Sequence, residues 1–514
     1  MSTSSPAAAL CARLGPLALA LPLSLGSAGA WGQQEGGAGN GVLTPMFSAE
    51  ESLVDTRYRP SGGNGLESLT RLSPGVHYDT HSGRVQGSLD YSANLIYRSG
   101  RGNPSESELQ NSLGARFVAE AITGRAFIEA QATISQQTIS AFGQQSLDGD
   151  LQRNGNRTEV LTAVLTPSLR GQLGTLAQYD MRVSAGGTLA KNSPVDSQNS
   201  SASMLLSSIG SNALLGWTLS GTQQRVNFRG PARSLNQRLA ASVIVRPLPE
   251  LQLNASGGRE VEDDAGADKV YQSNYGAGLK WNPNPRTHFE VETEKRYFGN
   301  SGRLTIEHRM PRTAWTYHVT RDATTGSSAN GVGQPLTRFD QLYALQASLQ
   351  PDPDLRRAQV LDELRAAGLN PNDVVSGGFL TSAQSLQQRQ DLSVTLQGLR
   401  SSLSLLAFAS QQRTLETGAV VDPLAGETVH QLGYTATLTH RLTPQSSINL
   451  LGSRLMTLDT PTRPGSDLKS ASISLSSQLG RRTSTQLGAR YSVFHSQTDP
   501  YHEASVNGSL SLRF

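Results

Sequence analysis

Cysteine is almost absent. The 514-residue chain has one, Cys11, which leaves no material for a disulfide framework or a thiolate metal site. Beyond residue 30 no stretch reaches the roughly 18 consecutive apolar residues of a membrane-crossing helix. A mean hydropathy of −0.35 is likewise too polar for a helical membrane protein. Neither sign of charge dominates, with 44 Lys and Arg against 41 Asp and Glu. The basic residues are dispersed, so no stripe for nucleic acid is formed. None of the nine histidines has the spacing of a metal-ligand pair, and no phosphate-cradling glycine loop occurs. No metal or cofactor is expected.

With 36 % hydrophobic residues and 51 glycines, disorder is the obvious competing class. It fails because the apolar residues alternate strictly. In "VYQSNYGAGLKWNP", Tyr271, Ser273, Tyr275, Ala277, Leu279 and Trp281 share one face. Gln272, Asn274, Gly276, Gly278 and Lys280 share the other. A period of two with aromatics near both ends of one face is the pattern of a lipid-facing strand between interfacial girdles. "LQLNASGG", "GYTATLTHRL", "SINLLGSRL" and "SASISLSSQL" repeat the alternation.

A soluble sandwich alternates as well, so further features decide the class. About 20 to 22 such segments can be counted, a size found among outer-membrane barrels. Tight turns near residues 247–250, 282–286, 310–313, 398–401, 442–446 and 480–483 are interleaved with longer polar loops, the asymmetry of such barrels. The chain also stops inside a strand, with Ala504, Val506, Gly508, Leu510, Leu512 and Phe514 on one face. That ending matches a C-terminal assembly signal carried by Val506, Leu510, Leu512 and Phe514. A sheet in lipid must close on itself, because every backbone group needs a partner. The expected fold is therefore all-β: a single transmembrane antiparallel β-barrel of about 20–22 strands, with 22 favoured. Closure with both ends on one side needs an even count, which a first strand around Phe47 to Tyr58 supplies. The segment 201–210 is the weakest of the remaining strands.

The N-terminus reads as a targeting segment. Arg13 precedes "LGPLALALPLSLGSAGA", which closes on Ala28-Gly29-Ala30 before Trp31, a small-x-small cleavage pattern. Residues 1–30 are expected to be a signal peptide, 31–45 a flexible lead-in and 46–514 the barrel. Cys11 lies ahead of the apolar core and follows Leu10, unlike a lipoprotein cysteine. One long interruption, 323–382, carries a helix-containing insertion. Asp352 or Asp354 caps the helix start, Gly368 ends it, and Val360, Leu361, Leu364 and Ala367 form an apolar stripe with Leu355 off it. Strand parity puts this insertion on the outer side.

The densest chemistry lies in "HFEVETEKRYF", residues 288–298. Glu290, Glu292, Glu294 and Arg296 share one face, and on the next strand Arg303, Glu307 and Arg309 do the same. Glutamates two apart on a strand sit about 7 Å apart, a spacing that permits a glycosidase pair. A mixed-charge lining of a water-filled lumen, with the arginines of the next strand opposite the carboxylates, is the simpler reading. An omptin-like protease would use Asp79 and His81 together with His495 and Asp499 at one rim.

Several local motifs are shared with a known family. They are a W-x-P-x-x-R-T turn (Trp281, Pro283, Arg286, Thr287), an R-Y-F-G step (Arg296 to Gly299) and an H-R-x-P-R-T run (His308 to Thr313). The helix-bearing insertion is followed by Gly378-Phe379-Leu380-Thr381. On these residues the chain resembles the outer-membrane protein family associated with PEP-CTERM/exosortase systems, most clearly over residues 250–415. An early acidic turn motif of that family is replaced here by "DTRYRPSGGNG". The resemblance implies the outer membrane of a Gram-negative bacterium, no catalytic residues, and a role in exopolysaccharide or sorted surface-protein export. Implied partners are outer-membrane lipid, the barrel assembly machinery and exopolysaccharide or polysaccharide-export components. A general or sugar-specific porin, or a surface scaffold binding polysaccharide through its loops, are the alternatives.

Overall fold

A computed structural model describes residues 41–514 apart from segments 61–63, 101–102, 147–153, 192–195, 211–213, 229–232, 265–268 and 416–426 and residue 382. Between 326 and 378 it describes isolated positions only. The expected signal peptide and the lead-in up to residue 40 lie outside the described residues.

Twenty-two strands follow one another in chain order. The first eight are β1 (Val42–Arg57), β2 (Gly65–Ser82), β3 (Val85–Gly100), β4 (Asn103–Ile122), β5 (Ala126–Thr138), β6 (Arg157–Leu173), β7 (Ala177–Ala190) and β8 (Ser197–Ser208). Next come β9 (Leu215–Phe228), β10 (Arg233–Leu248), β11 (Leu251–Asp264), β12 (Val270–Asn284), β13 (Thr287–Arg296), β14 (Gly299–Met310) and β15 (Thr313–Thr325). The last seven are β16 (Gln384–Gln397), β17 (Ser401–Thr414), β18 (Thr428–Thr443), β19 (Ser446–Thr457), β20 (Ser466–Gln478), β21 (Thr483–Ser496) and β22 (Tyr501–Arg513). Each pairs antiparallel with its chain neighbour. β1 also pairs with β22, from Met46↔Arg513 to Arg57↔His502, so the sheet closes.

The strand count of 22 is the favoured one, and the doubtful segment 201–210 falls largely within β8. Two boundaries need correction. β1 starts at Val42, inside the expected lead-in, because β2 is long enough to hold it: Val42 to Pro45 pair with Asp79 to Val76. Pro45 has no N–H, but its carbonyl accepts the Phe514 N–H at 3.0 Å, so it sits at the last rung of the seam with β22. The insertion is also shorter at its start, since Ala323 to Thr325 pair with Leu386 to Gln384 and remain strand.

Inside and outside follow from contacts that skip strands. Arg238 of β10 bonds Glu294 of β13, while Arg296 of β13 reaches both Glu260 of β11 and Asp322 of β15. Side chains converge over intervening strands only on the concave face of a closed sheet, so this set points into the lumen and its alternates point out. The outward face is a belt of exposed Leu, Val and Ile. At the terminal end, where β1 begins and β22 ends, it is rimmed by Trp217, Trp281, Trp315 and Phe514. At the other end the rim is Tyr97, Tyr271, Tyr275, Tyr434 and Tyr491. Two aromatic girdles flanking an apolar belt are what a membrane barrel requires. Ala504, Val506, Gly508, Leu510 and Leu512 lie on this face, in register with Phe47, Ala49 and Leu53 of β1.

The terminal end carries the short turns, including all six anticipated from sequence. The opposite end carries the long loops and is the outer one. Among the fully described outer connections, one is only two residues long. β13 and β14 are joined by Tyr297 and Phe298 alone, and Gly299 follows at φ 107°. Nothing lies within 4 Å of a Cβ built there, so the cost of a side chain is conformational. Gly299→Ala is expected to destabilise the barrel by about 1–2 kcal/mol, read as a shift in the urea unfolding midpoint in lipid vesicles.

The β15–β16 insertion is helical at Leu355, Arg356, Arg357, Val360, Leu361 and Leu364. Val360, Leu361 and Leu364 are buried and Leu355 is exposed, as the apolar stripe anticipates; Ala367 lies outside the described residues. A second helical stretch, absent from the sequence reading, includes Phe339, Leu342, Tyr343 and Gln346. The Arg356 guanidinium stacks 4.2 Å over the Tyr343 ring and donates to its hydroxyl at 3.2 Å, tying the two stretches together.

Candidate functional site

The charged face of β13 is part of a network in the lumen wall from β10 to β16. At its outer end the Arg296 guanidinium bonds Glu260 at 2.5 Å and Asp322 at 2.8 Å. The Glu260 side chain is fully buried. It also accepts from Asn236 at 2.9 Å. Glu294 is held by Arg238 and by Asn274 Nδ2 at 2.8 Å. Tyr297 accepts a hydrogen bond at its hydroxyl from Gln384 at 2.5 Å, linking the short β13–β14 hairpin to β16.

Toward the inner end, Glu290 takes Lys280 at 3.8 Å and His288 Nε2 at 3.2 Å. Glu290, Glu292 and Lys280, with Thr218, Ser242, Gln252 and Asn254, line a cavity of about 260 Å³. Gly278 makes room for it, because a Cβ there would collide with the Asn254 side chain.

The register places Glu292 opposite Arg303 and Glu307 opposite His288. Arg303 thus stands opposite a carboxylate as expected, at Glu292, while the described ion pairs of Glu290 and Glu294 go to Lys280 and Arg238. Arg309 sits at the inner end of β14 opposite Ala314, far along the barrel from Arg296. Lys280 stands directly opposite Glu290 on β12. Arg238 reaches Glu294 from three strands away, as curvature inside a closed sheet allows a long side chain to do. Glu290 and Glu294 are thus each engaged by a cation. The protease constellation is also split: Asp79 and His81 lie at the inner end of β2, His495 and Asp499 at the outer end of β21 and just beyond.

The outer mouth is crossed by main chain. In the connection between β5 and β6, residues 139–146 fold inward. Its Ala141 carbonyl accepts from Thr457 Oγ1 of β19 at 3.1 Å, and its Gln145 carbonyl accepts from the Tyr501 hydroxyl of β22 at 2.9 Å. Arg59 donates to Gln144 at 2.9 Å, and the Arg463 guanidinium lies 5.7 Å over the Phe142 ring. Ala141 is fully buried. From the opposite side comes the tail of the β15–β16 insertion, where Leu380 N–H donates to the Thr138 carbonyl at 3.0 Å. β5 and β16 stand eleven strands apart in a ring of 22, so that bond spans the mouth. Sequence reading missed the inward loop. Its one signal is the small apolar group Ile139, Ala141 and Phe142 at the head of an otherwise polar loop.

No protein-family model matches this sequence, and no curated protein does. Solved structures do. The chain is similar to the FrpB iron transporter from Neisseria meningitidis (F5-1 variant) at 11 % identity, over 91 % of this chain and 82 % of that one, with a TM-score of 0.48. It is similar to the siderophore receptor PirA from Pseudomonas aeruginosa at 10 % identity, over 91 % and 80 %, TM-score 0.42. PirA from Acinetobacter baumannii gives 11 % identity, 91 % and 80 %, and 0.43. Likeness at that level carries no argument about cargo. Closure, belt and girdles define the protein by themselves. It is an outer-membrane β-barrel.

Proposed function

We infer that this barrel is a non-enzymatic passage for exopolysaccharide, or for sorted surface proteins, in a PEP-CTERM/exosortase system, with its crossed outer mouth as the gate. The observation that carries the reading is the hydroxyl-rich lining of β20 and β22, away from the β10–β16 network. On the inward face β20 presents Ser470, Ser472, Ser474 and Ser476, and β22 presents Ser505, Asn507 and Ser509. These groups bond one another laterally, as in Ser492 to Ser470 at 3.1 Å and Ser447 to Ser476 at 2.8 Å. A polyhydroxylated chain meets many replaceable hydrogen bonds there, each contributing about 1 kcal/mol net. The charge among them, Arg490 between Ser472 and Ser505, is paired with the buried Glu503 at 3.0 Å. The local motifs around Trp281, Arg296 and His308 supply the exosortase context.

The test is genetic. Deleting the gene in the source bacterium is expected to abolish surface polysaccharide and leave polymer in the periplasm, with restoration by the intact chain. Unchanged surface polysaccharide together with slowed uptake of small solutes would instead establish a porin. Restoration by a chain lacking residues 326–382 would remove the insertion from the working parts.

A further inference from the structure

The ladder between β4 and β5 ends early. Its last outer rung is Leu113↔Ile134, although β5 continues to Thr138 and β4 continues upward to Asn103. Extending the register by two residues would set Asn111 against Gln136. Instead the Asn111 backbone N–H donates to the carboxylate of Glu159, at 2.7 Å. Glu159 belongs to β6 and is itself paired with Gln136. A side chain has therefore taken the place of the β5 carbonyl. Asn111 Nδ2 adds contacts to both Glu159 oxygens at 3.3 Å, and the Tyr91 hydroxyl of β3 donates to Asn111 Oδ1 at 3.0 Å.

The depth of this substitution makes it unusual. Asn111 and Glu159 lie on the outward face. Above Asn111 that face carries Leu109, Leu95 and Tyr97, all about half exposed, and below it Leu113 and Phe117. The interruption is thus inside the lipid belt, where an unpaired strand edge is excluded and an ionisable side chain marks function. On the lumen side the same stretch presents Gln110 and Ser112 of β4 and Ser135 and Gln137 of β5. A polar interior thus stands behind a split wall. β5 stays paired with β6 to Thr138↔Arg157, so the break lies between β4 and β5 alone; the Thr138 carbonyl accepts instead from the Leu380 N–H.

We propose that the β4–β5 seam is a lateral opening from the lumen into the outer leaflet, latched by Glu159 on the Asn111 amide, and that it admits an amphiphile whose polar part lies in the lumen and whose acyl chain lies in lipid. The seam is defined by its own geometry and does not depend on the export reading.

Cysteine pairs test it in a Cys11→Ser background, in vesicles carrying acyl-brominated phospholipid. Gln110→Cys with Gln137→Cys spans the seam. Gln110→Cys with Asn94→Cys spans the intact β3–β4 ladder at the same height. The seam pair is expected to oxidise at least roughly tenfold more slowly than the ladder pair, as groups held apart must. Equal rates overturn the proposal. A bimane on Gln137→Cys is expected to be quenched by the brominated chains at least twofold more than one on Gln131→Cys, which faces inward beside the zipped part of the seam. Equal quenching means that acyl chains do not enter, and also overturns it. Glu159→Leu is expected to increase quenching at Gln137→Cys further, while Glu159→Gln, which keeps an acceptor for Asn111, stays near the parent value. No difference between the two variants removes the latch.

Discussion

Arg296→Met is expected to destabilise the barrel by about 3–5 kcal/mol, the range for removing one partner of a buried ion pair. The guanidinium serves two carboxylates, and the side chain of one of them, Glu260, is fully buried. Without Arg296 that carboxylate keeps Asn236 and the Tyr297 N–H but no cation. Asp322 is a third exposed to lumen water, so it contributes the smaller share. A paired change separates lost attraction from stranded charge. Arg296→Met combined with Glu260→Gln is expected to recover most of the loss, because a neutral amide still bonds Asn236 and leaves no buried charge. Urea unfolding in lipid vesicles, followed by tryptophan fluorescence, reads both. If the double variant is no more stable than Arg296→Met alone, the network stabilises by packing and not by charge compensation.

The second large effect concerns the mouth. Replacing residues 140–153 by a short Gly-Ser link removes the groups that reach Thr457, Tyr501 and Arg59. The expected result is an outer membrane leaky to large antibiotics, with the inhibitory concentration of vancomycin falling roughly tenfold or more, since an unobstructed 22-strand lumen is wider than the 16–18-strand barrels that already pass water. Removing only the Tyr501 anchor, as Tyr501→Phe, should change permeability little, because Thr457 and Arg59 still hold the loop. Unchanged vancomycin resistance in the loop replacement, with the barrel present in the membrane at normal amount, would show that another segment closes the lumen.

How much of this was legible in the sequence follows from the period of each element. Strands repeat every two residues and are lipid-facing on alternate positions, so Tyr271 to Trp281 and Ala504 to Phe514 declare their faces without any partner. Turns such as 282–286 and 310–313 are punctuated by proline and appear where expected. The helix through Val360 and Leu364 has its own period and was equally readable. The helical stretch at Phe339 to Gln346 was not, because it emerges from a Gly- and Ser-rich approach with only a few apolar positions to mark it. The ion pairs of Glu290 and Glu294 were not legible, for two reasons. Lys280 faces Glu290 from β12, the neighbour on the side away from Arg303 and Arg309, and curvature brings Arg238 to Glu294 from three strands away. The inward loop at 139–146 and the short ladder at Leu113↔Ile134 depend on contacts with β19, β22 and the β15–β16 insertion. No local pattern encodes contacts between segments hundreds of residues apart.

The central claim is a polar passage closed at its outer mouth by residues 139–146 and the tail of the insertion. Single-channel recording of the unmodified protein, purified and alone in a planar bilayer, tests it most directly. The account predicts a low conductance with rare openings, and a large steady conductance only when residues 140–153 are replaced. A large, steady and unselective conductance from the unmodified protein would contradict it.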